Sequence, residues 1–99
     1  MKPLYSTKHA KKRAKERLGW NKSVLKKMMW RAFYQGIDEA DTTGALQRYL
    51  KAQYAKECEA DNAKIYGQNV FIFKDNILIT VYRLPNHCIK ILEHQTEDA

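Results

Sequence analysis

The spacing of apolar residues divides the 99-residue chain into a helical first part and a strand-rich second part. Between residues 22 and 35, apolar residues recur every three or four positions, which is the period of a helix with one buried face. From residue 63 the pattern changes to short runs of β-branched and aromatic residues, which are typical of strands. The order along the chain is therefore helices first and strands afterwards.

Start and stop residues set the limits of the first two predicted helices. Ser6 or Thr7 is suited to cap a helix over residues 8–18, and Gly19 is suited to end it. The second helix begins at about Lys22 or Ser23 and ends at Gln35, and the glycine that follows it marks its end. Its apolar side consists of Val24, Leu25, Met28, Met29, Ala32 and Phe33.

A third helix and a sheet are predicted for the rest of the chain. The helix covers residues 43–59, and its buried side would consist of Leu46, Tyr49, Leu50, Tyr54 and Cys58. Strands follow at residues 63–66, 69–73, 77–83 and, after Pro85, 88–92, with Asp75-Asn76 as a two-residue hairpin turn. We expect a single domain of α+β class, with three N-terminal helices packed on a three- to four-stranded antiparallel sheet.

Composition excludes several classes of protein. No apolar run approaches the roughly 20 residues that a membrane-spanning helix needs, and the N-terminus has no apolar region of the kind found in signal peptides. Two cysteines are too few for a disulfide framework. Cys58, His87, Cys88 and His94 form no pair with the spacing of a zinc site, so no metal site is expected. We expect a soluble cytoplasmic protein.

Positive charge is concentrated in the first third of the chain. Residues 1–35 contain eight lysines and three arginines against one acid, Glu16, a net charge of +10. Because the whole chain carries +7, residues 36–99 carry −3. A chain polarised in this way presents a positive face to an anionic partner, and nucleic acid is the simplest one because its phosphates bind basic side chains irrespective of sequence.

The helix over residues 8–18 separates its arginines from its lysines. At about 100° per residue, His9, Arg13 and Arg17 lie on one stripe beside the apolar side, while the lysines face solvent. Arginine binds two phosphate oxygens at once through its planar fork, whereas lysine acts as a point charge. The plainer interpretation is a solvated basic face in which Glu16 pairs with Lys12 or another neighbour.

Two stretches resemble a known group of toxins. Ser6-Thr7-Lys8-His9-Ala10, with Lys12-Arg13 and Glu16-Arg17-Leu18-Gly19, is similar to the H-A-x-x-R-x-x-E-R-x-G type of first helix in RelE and BrnT toxins. These belong to the barnase–EndoU–colicin–RelE group of metal-independent ribonucleases. The run from residue 77 to residue 83 resembles their closing strand. The resemblance covers the first helix, part of the second and the strands from about Lys64 to Pro85. Within the single domain, residues 1–36 would form the basic helical part and residues 63–92 the antiparallel meander, while the helix at 43–60 looks like an insertion.

The resemblance implies cleavage of RNA, such as tRNA or mRNA, through attack of the 2′-hydroxyl on the scissile phosphate, with no cofactor. It implies His9 as general base or acid, and Arg13 and Arg17 as phosphate-binding residues. Alternation along the strand puts Leu78, Thr80 and Tyr82 on one side and Ile77, Ile79 and Val81 on the other. Thr80 and Tyr82 would then face the same cleft as His9. The added nucleic-acid contacts would come from Lys8, Lys12 and Arg83.

A toxin would also imply an acidic antitoxin or immunity protein that covers residues 1–35, in a bacterial cell or encoded by a phage. Two alternatives use the same basic face: a non-catalytic nucleic-acid-binding module, such as a phage regulator or counter-defence protein, and a protein that binds an acidic protein partner. Trp20, Trp30 and Tyr34 lie near the basic region. Such aromatic residues either stack on bases or pack between helices.

Overall fold

The computed structural model describes residues 3–42, 44–55, 60 and 62–97, with the backbone alone for residues 54–55 and 94–97. This part of the chain forms four α-helices, five strands and one short 3-10 helix. In chain order, the elements are β1 (Tyr5–Ser6), α1 (Lys8–Leu18), α2 (Lys22–Gln35), β2 (Ile37–Asp38), the 3-10 helix (Glu39–Asp41), α3 (Gly44–Ala55), β3 (Asn62–Tyr66), β4 (Asn69–Lys74), β5 (Ile77–Arg83) and α4 (Asn86–Glu97).

The sheet has the strand order β1-β5-β4-β3-β2. The three central strands form the predicted antiparallel meander, and the hairpin turn at Asp75-Asn76 is confirmed, with Asp75 in the left-handed region at φ 52°. At the two edges lie the two-residue strands β1 and β2, and β1 runs parallel to β5. The sheet is therefore mixed.

Helices cover both faces of this sheet. On one face, α1 and α2 pack on a cluster whose largest side chains are Phe71 and Phe73. On the other face, α3 and α4 pack on a cluster that includes Val70 and Ile72. Because neighbouring residues of β4 point to opposite faces and all four are fully buried, the sheet is the middle of three layers.

The predicted arrangement of three N-terminal helices on a three- to four-stranded antiparallel sheet is therefore wrong. The described residues form four α-helices and a five-stranded mixed sheet, and the helices are interleaved with the strands along the chain. The two edge strands have two residues each, which is too short for an alternating pattern to mark them in the sequence.

The last predicted strand, residues 88–92, is part of helix α4. The Pro85 carbonyl accepts hydrogen bonds from the backbone N–H groups of Cys88 and Ile89, at 3.0 and 3.1 Å, so the turn after Pro85 opens a helix. Cys88, Ile89 and Leu92 are buried at the i, i+1 and i+4 spacing of a helix face. The two isoleucines of this segment favour a strand by residue type, but its buried residues follow the helical period.

The predicted limits of the first two helices are confirmed, and the predicted apolar side of α2 packs on the core except for Val24, which is 38% exposed. Thr7 caps α1 and Gly19 follows it at φ 69°, while Asn21 caps α2. Gly36 ends α2 for a different reason from Gly19, because its backbone is extended at φ −75°. A Cβ atom at Gly36 would meet the carbonyl oxygen of Ala32 and lie 2.8 Å from that of Ile65, so only glycine fits between α2 and β3.

Helix α3 is shorter in the described part than the predicted helix over residues 43–59. It covers Gly44–Ala55, and Leu46 and Leu50 are fully buried as predicted, with Tyr49 partly buried. The predicted burial of Tyr54 and Cys58 concerns side chains that lie outside the described residues. In the described part of the chain, no helix has both the length and the apolar character needed to cross a membrane.

Candidate functional site

A polar cavity of about 460 Å³ opens between α1, α3 and β5. Its lining residues are His9, Arg13, Arg17, Tyr49, Gln53, Thr80 and Tyr82. All five residues predicted as catalytic from the sequence are among these seven, although α1 and β5 are separated by more than half of the chain. The structure therefore brings together in space the residues that the sequence analysis singled out, while their roles in catalysis remain predictions.

Helix α1 presents its polar stripe to the cavity because its other side is held against the sheet. Ala10 and Ala14 are fully buried, and α1 packs mainly on β5. The small alanine side chains allow the helix to lie close to the strand. His9, Arg13 and Arg17 follow one another at intervals of four residues, so they form a single row along the rim of this contact.

Thr7 fixes the start of α1 to the strand that carries the other half of the site. Its hydroxyl oxygen accepts a hydrogen bond from the Ala10 backbone N–H at 3.0 Å, which caps the helix. The same hydroxyl donates to the carbonyl oxygen of Ile79 in β5 at 3.2 Å. One side chain thus sets the distance between the first turn of α1, where His9 lies, and the segment of β5 that carries Thr80.

A β-bulge corrects the predicted alternation along β5. Ile72 pairs with Thr80 and the next residue of β4, Phe73, pairs with Leu78, so Ile79 is an extra residue in β5. Leu78 therefore lies with Val81 in the cluster under α1 and α2, and Ile79 lies on the other face with Tyr82. The prediction that Leu78 shares a side with Thr80 and Tyr82 is wrong, because alternation does not continue through a bulge.

Thr80 and Tyr82 nevertheless share a face, as predicted. Their partners in β4 are Ile72 and Val70, which both belong to the cluster under α3 and α4. Directly opposite residues of an antiparallel pair point to the same side of the sheet. Thr80 is buried, with 4% of its surface exposed, and Tyr82 is partly buried.

Helix α3 supplies two lining residues that the sequence analysis did not assign to the site. Tyr49 and Gln53 lie one helical turn apart, and both reach the cavity. Tyr49 belongs to the predicted buried side of α3, and its side chain does pack partly on the core. The i, i+4 spacing of two hydrogen-bonding side chains was the available signal, but only the tertiary structure shows where α3 lies.

The part of the cavity wall that the described residues form is positively charged. None of the seven described lining residues has a carboxylate, and Glu16 on α1 accepts from Arg13 Nη1 at 3.3 Å outside the lining set. Lys12 Nζ lies 3.9 Å from the same carboxylate, so the predicted pairing of Glu16 with a neighbour is confirmed. Among the described residues, Arg13 Nε is buried without a hydrogen-bond partner. Glu16 therefore orients Arg13 through one nitrogen and leaves another donor unused.

Tyr82 supplies a second unused hydrogen-bonding group. Its hydroxyl is buried and makes no hydrogen bond of good geometry with any described residue. The Tyr49 side chain is nevertheless close enough to affect the pKa of Tyr82. Burial raises the pKa of Tyr82 well above its usual range, and the nearby Tyr49 and Cys88 add to the effect, against a smaller opposing effect of Arg17. The phenol therefore stays neutral and is available as a hydrogen-bond donor.

The three residues predicted as added nucleic-acid contacts lie outside the cavity wall. Lys8 and Lys12 are exposed on the outer side of α1. Arg83 lies at the end of β5 and donates through Nη2 to the side-chain oxygen of Gln68 at 3.2 Å. None of the three lines the cavity, so they can contact a ligand only on the surrounding surface.

The aromatic residues of the basic region separate into two groups. Trp20 stacks on Phe71 in the core, with ring centroids 6.0 Å apart, which confirms the packing interpretation for this residue. Trp30 and Tyr34 lie on the surface of α2, with 39% and 38% of their surfaces exposed. Of the residues considered as zinc ligands, Cys58 and the side chain of His94 lie outside the described part. No three His, Cys, Asp or Glu side chains within that part are grouped as a metal site would require.

Comparisons with known proteins give no significant match. No family model matches the chain, no curated protein is significantly similar to it, and no solved structure gives a significant match.

Proposed function

We propose that this protein is a toxin-like endoribonuclease that cleaves RNA without a metal ion, by attack of the 2′-hydroxyl on the adjacent phosphate. The observation that carries the proposal is the cavity between α1, α3 and β5, which combines an imidazole, two guanidinium groups and a neutral phenol. A scissile phosphate needs cations and hydrogen-bond donors around it, and a nearby group that moves a proton.

Phosphate binding falls to Arg13, Arg17 and Tyr82 in this proposal. Arg13 Nε and the Tyr82 hydroxyl are buried polar groups without partners among the described residues, and such groups are costly unless a ligand satisfies them. A phosphate oxygen accepts hydrogen bonds from both. The buried Thr80 hydroxyl adds a third potential donor on the same side of β5.

Proton transfer falls to His9. Imidazole changes its protonation near neutral pH, and the exposed position of His9 at the rim of the cavity leaves its ring open to a bound ribose. His9 removes the 2′-hydroxyl proton as the 2′-oxygen–phosphorus bond forms and the bond to the leaving 5′-oxygen breaks. The proton is then delivered to that 5′-oxygen, which gives a 2′,3′-cyclic phosphate and a free 5′-hydroxyl.

The setting of the proposal is the bacterial cytoplasm, where RNA is the substrate and an acidic antitoxin or immunity protein is the partner. Charge complementarity supports such a partner, because residues 1–35 carry a net charge of +10. A partner of this kind would inhibit cleavage by covering the basic surface next to the cavity.

The proposal is tested by incubating the purified protein with tRNA and total RNA in EDTA. We expect fragments that end in a 2′,3′-cyclic phosphate, and a rate about a hundred- to ten-thousandfold lower for His9→Ala. Lys15→Ala is the matched control, because Lys15 is exposed on the same helix and does not line the cavity. Equal rates for wild type and His9→Ala would contradict the proposed role of His9.

The second candidate function is a non-catalytic nucleic-acid-binding module. The exposed lysines outside the cavity, Lys8 and Lys12 among them, favour it, because they add affinity without chemistry. Intact RNA together with a salt-sensitive gel shift that survives His9→Ala and weakens in Arg13→Ala would replace the ribonuclease proposal with this one. Absence of both cleavage and a gel shift would point to an acidic protein as the ligand.

A further inference from the structure

Helix α2 carries a second surface with the properties of a ligand site, away from the cavity lining. Lys22, Lys26, Trp30 and Tyr34 follow one another at intervals of four residues, so their side chains form one ridge on the helix, which we call the α2 ridge. Successive members of the ridge lie about 6 Å apart along the helix axis. Its first half is cationic and its second half is aromatic.

The two aromatic residues of the α2 ridge expose unusual amounts of ring surface. Trp30 and Tyr34 are 39% and 38% exposed, and their ring centroids are 5.1 Å apart at an angle of 46°. Neither is in the buried cluster under α2, to which this helix contributes Leu25, Met29 and Ala32. Trp30 therefore contributes little to the core and leaves ring surface accessible to a ligand, while Tyr34 also packs edge-on against Phe33 with ring centroids 5.0 Å apart.

Next to the ridge lies a groove with an apolar floor and a cationic rim. One cavity of about 320 Å³ is lined by Leu4, Lys26, Lys27, Met29, Trp30 and Arg31. A second cavity of about 310 Å³ shares Leu4, Lys26 and Met29 with it and extends the groove along β1. The described residues that line the two cavities include five lysines or arginines and no acidic side chain.

We infer that the α2 ridge and this groove bind single-stranded RNA, with one base stacked on Trp30 and the adjoining phosphates held by Lys26, Lys27 and Arg31. Bases of a single strand have free faces, whereas those of a duplex are covered by their neighbours, so an exposed ring selects the single strand. Exposed π faces next to cations also fit nucleobases better than they fit an acidic peptide, which would match the charge alone.

The inference rests on the proposed function in taking RNA as the ligand, but it concerns a different surface. It gives the ribonuclease a site that holds the strand outside the cavity, where no residue of the catalytic proposal lies. Such a site raises affinity for unpaired RNA without touching the reacting phosphate. Loss of the site is therefore expected to raise KM and leave kcat unchanged.

The test measures binding of a single-stranded RNA of about 12 nucleotides, within the usual range of site sizes, and of the matching duplex, in a His9→Ala background that prevents cleavage. We expect Trp30→Leu to weaken binding of the single strand about five- to hundredfold, and Trp30→Phe to retain most of it, because Phe keeps the ring. Duplex binding should change less. Val24→Ala is the control, since Val24 is 38% exposed on the same helix and carries no ring.

Tryptophan fluorescence adds a direct readout of stacking. We expect binding of the single strand to quench the fluorescence of Trp30. In Trp30→Leu the emission comes from Trp20, which stacks on Phe71 in the core, and it should stay the same when the single strand is added. Unchanged affinity of Trp30→Leu for the single strand would overturn the inference. So would a polyglutamate peptide that binds as tightly as RNA and depends equally on Trp30.

The outcomes separate this inference from the proposed function. Absence of cleavage by the wild type, together with Trp30-dependent binding of the single strand, would remove the ribonuclease proposal and support the inference. Cleavage by the wild type, with the same KM in Trp30→Leu, would support the ribonuclease proposal and overturn the inference.

Discussion

The cavity and the α2 ridge are two basic surfaces of one small protein, and they are built in opposite ways. The cavity takes its lining from α1, α3 and β5, so it exists only in the folded chain. The ridge lies on a single helix, and its order of residues can be read directly from the sequence. Convergence of distant side chains is what chemistry on a phosphate needs, whereas a row on one helix is enough to hold a strand.

The largest difference between the two surfaces should appear when arginine and lysine are exchanged. Arg13→Lys and Arg17→Lys are expected to lower the rate of RNA cleavage about tenfold or more, because lysine cannot bind two phosphate oxygens in a fixed geometry. Lys26→Arg on the α2 ridge should leave both cleavage and binding of single-stranded RNA nearly unchanged. The cleavage rate at saturating RNA and the dissociation constant for single-stranded RNA are measured for each variant.

Arg→Lys changes that lower cleavage no more than Lys26→Arg does would mean that both surfaces act only as pools of positive charge. The salt dependence of binding provides a control, because each exchange keeps the formal charge and should leave the slope against salt concentration unaltered.

Tyr82→Phe should separate activity from stability within the cavity. The change removes a buried hydroxyl that has no partner in the described part of the chain, so the free energy of unfolding should stay the same or rise slightly. Cleavage should nevertheless fall about tenfold, since one donor to the phosphate is lost. Thermal melting and cleavage rates measured on the same samples check both expectations. A clear drop in melting temperature would show that the hydroxyl has a structural role instead.

Helix caps offer a smaller contrast between the same two surfaces. Thr7→Ala and Asn21→Ala each remove a side chain that accepts a hydrogen bond at the start of a helix, and each should cost about 1 kcal/mol of stability. Only Thr7 also donates to β5, so only Thr7→Ala should disturb the position of His9 and lower kcat. An equal effect of both variants on kcat would contradict the role given to this contact.

The smallest expected effect concerns alkaline pH. Because burial holds the pKa of Tyr82 well above its usual range, the phenol ionises more readily in the unfolded chain than in the folded one. Its contribution to stability is complete below about pH 10, the ordinary range of a phenol, and is lost as the pH rises further. The melting temperature of the wild type should therefore fall above this pH more steeply than that of Tyr82→Phe. Parallel curves would contradict the buried neutral state.

Local signals in the sequence were enough to predict much of this molecule. The capping residue Thr7, the αL glycine Gly19 and the i, i+4 pattern of α2 act within a few residues, and the structure confirms them. The three strands of the meander and the Asp75-Asn76 turn are local in the same sense. The row of His9, Arg13 and Arg17 follows from the helix alone.

What could not be predicted depends on distant parts of the chain. The short strand β1 exists because β5 lies beside it, and nothing within its two residues shows this. The bulge at Ile79 changes which residues of β5 share a face, and a strand pattern gives no sign of it. The contribution of Tyr49 and Gln53 to the cavity depends on where α3 packs. The segment after Pro85 forms a helix although its residue types favour a strand, because burying Cys88, Ile89 and Leu92 on one face requires the helical period.

The pairing of β1 with β5 also has a consequence for the order of events during synthesis. Residues 5–6 and the helix that follows them leave the ribosome well before the strand against which they pack, Ile77–Arg83. Contacts between segments that are far apart in the sequence form slowly. A nascent chain therefore exposes the lysines and arginines of α1 and α2 to the surrounding RNA before it has a cavity, because the cavity is assembled only after β5 has been made.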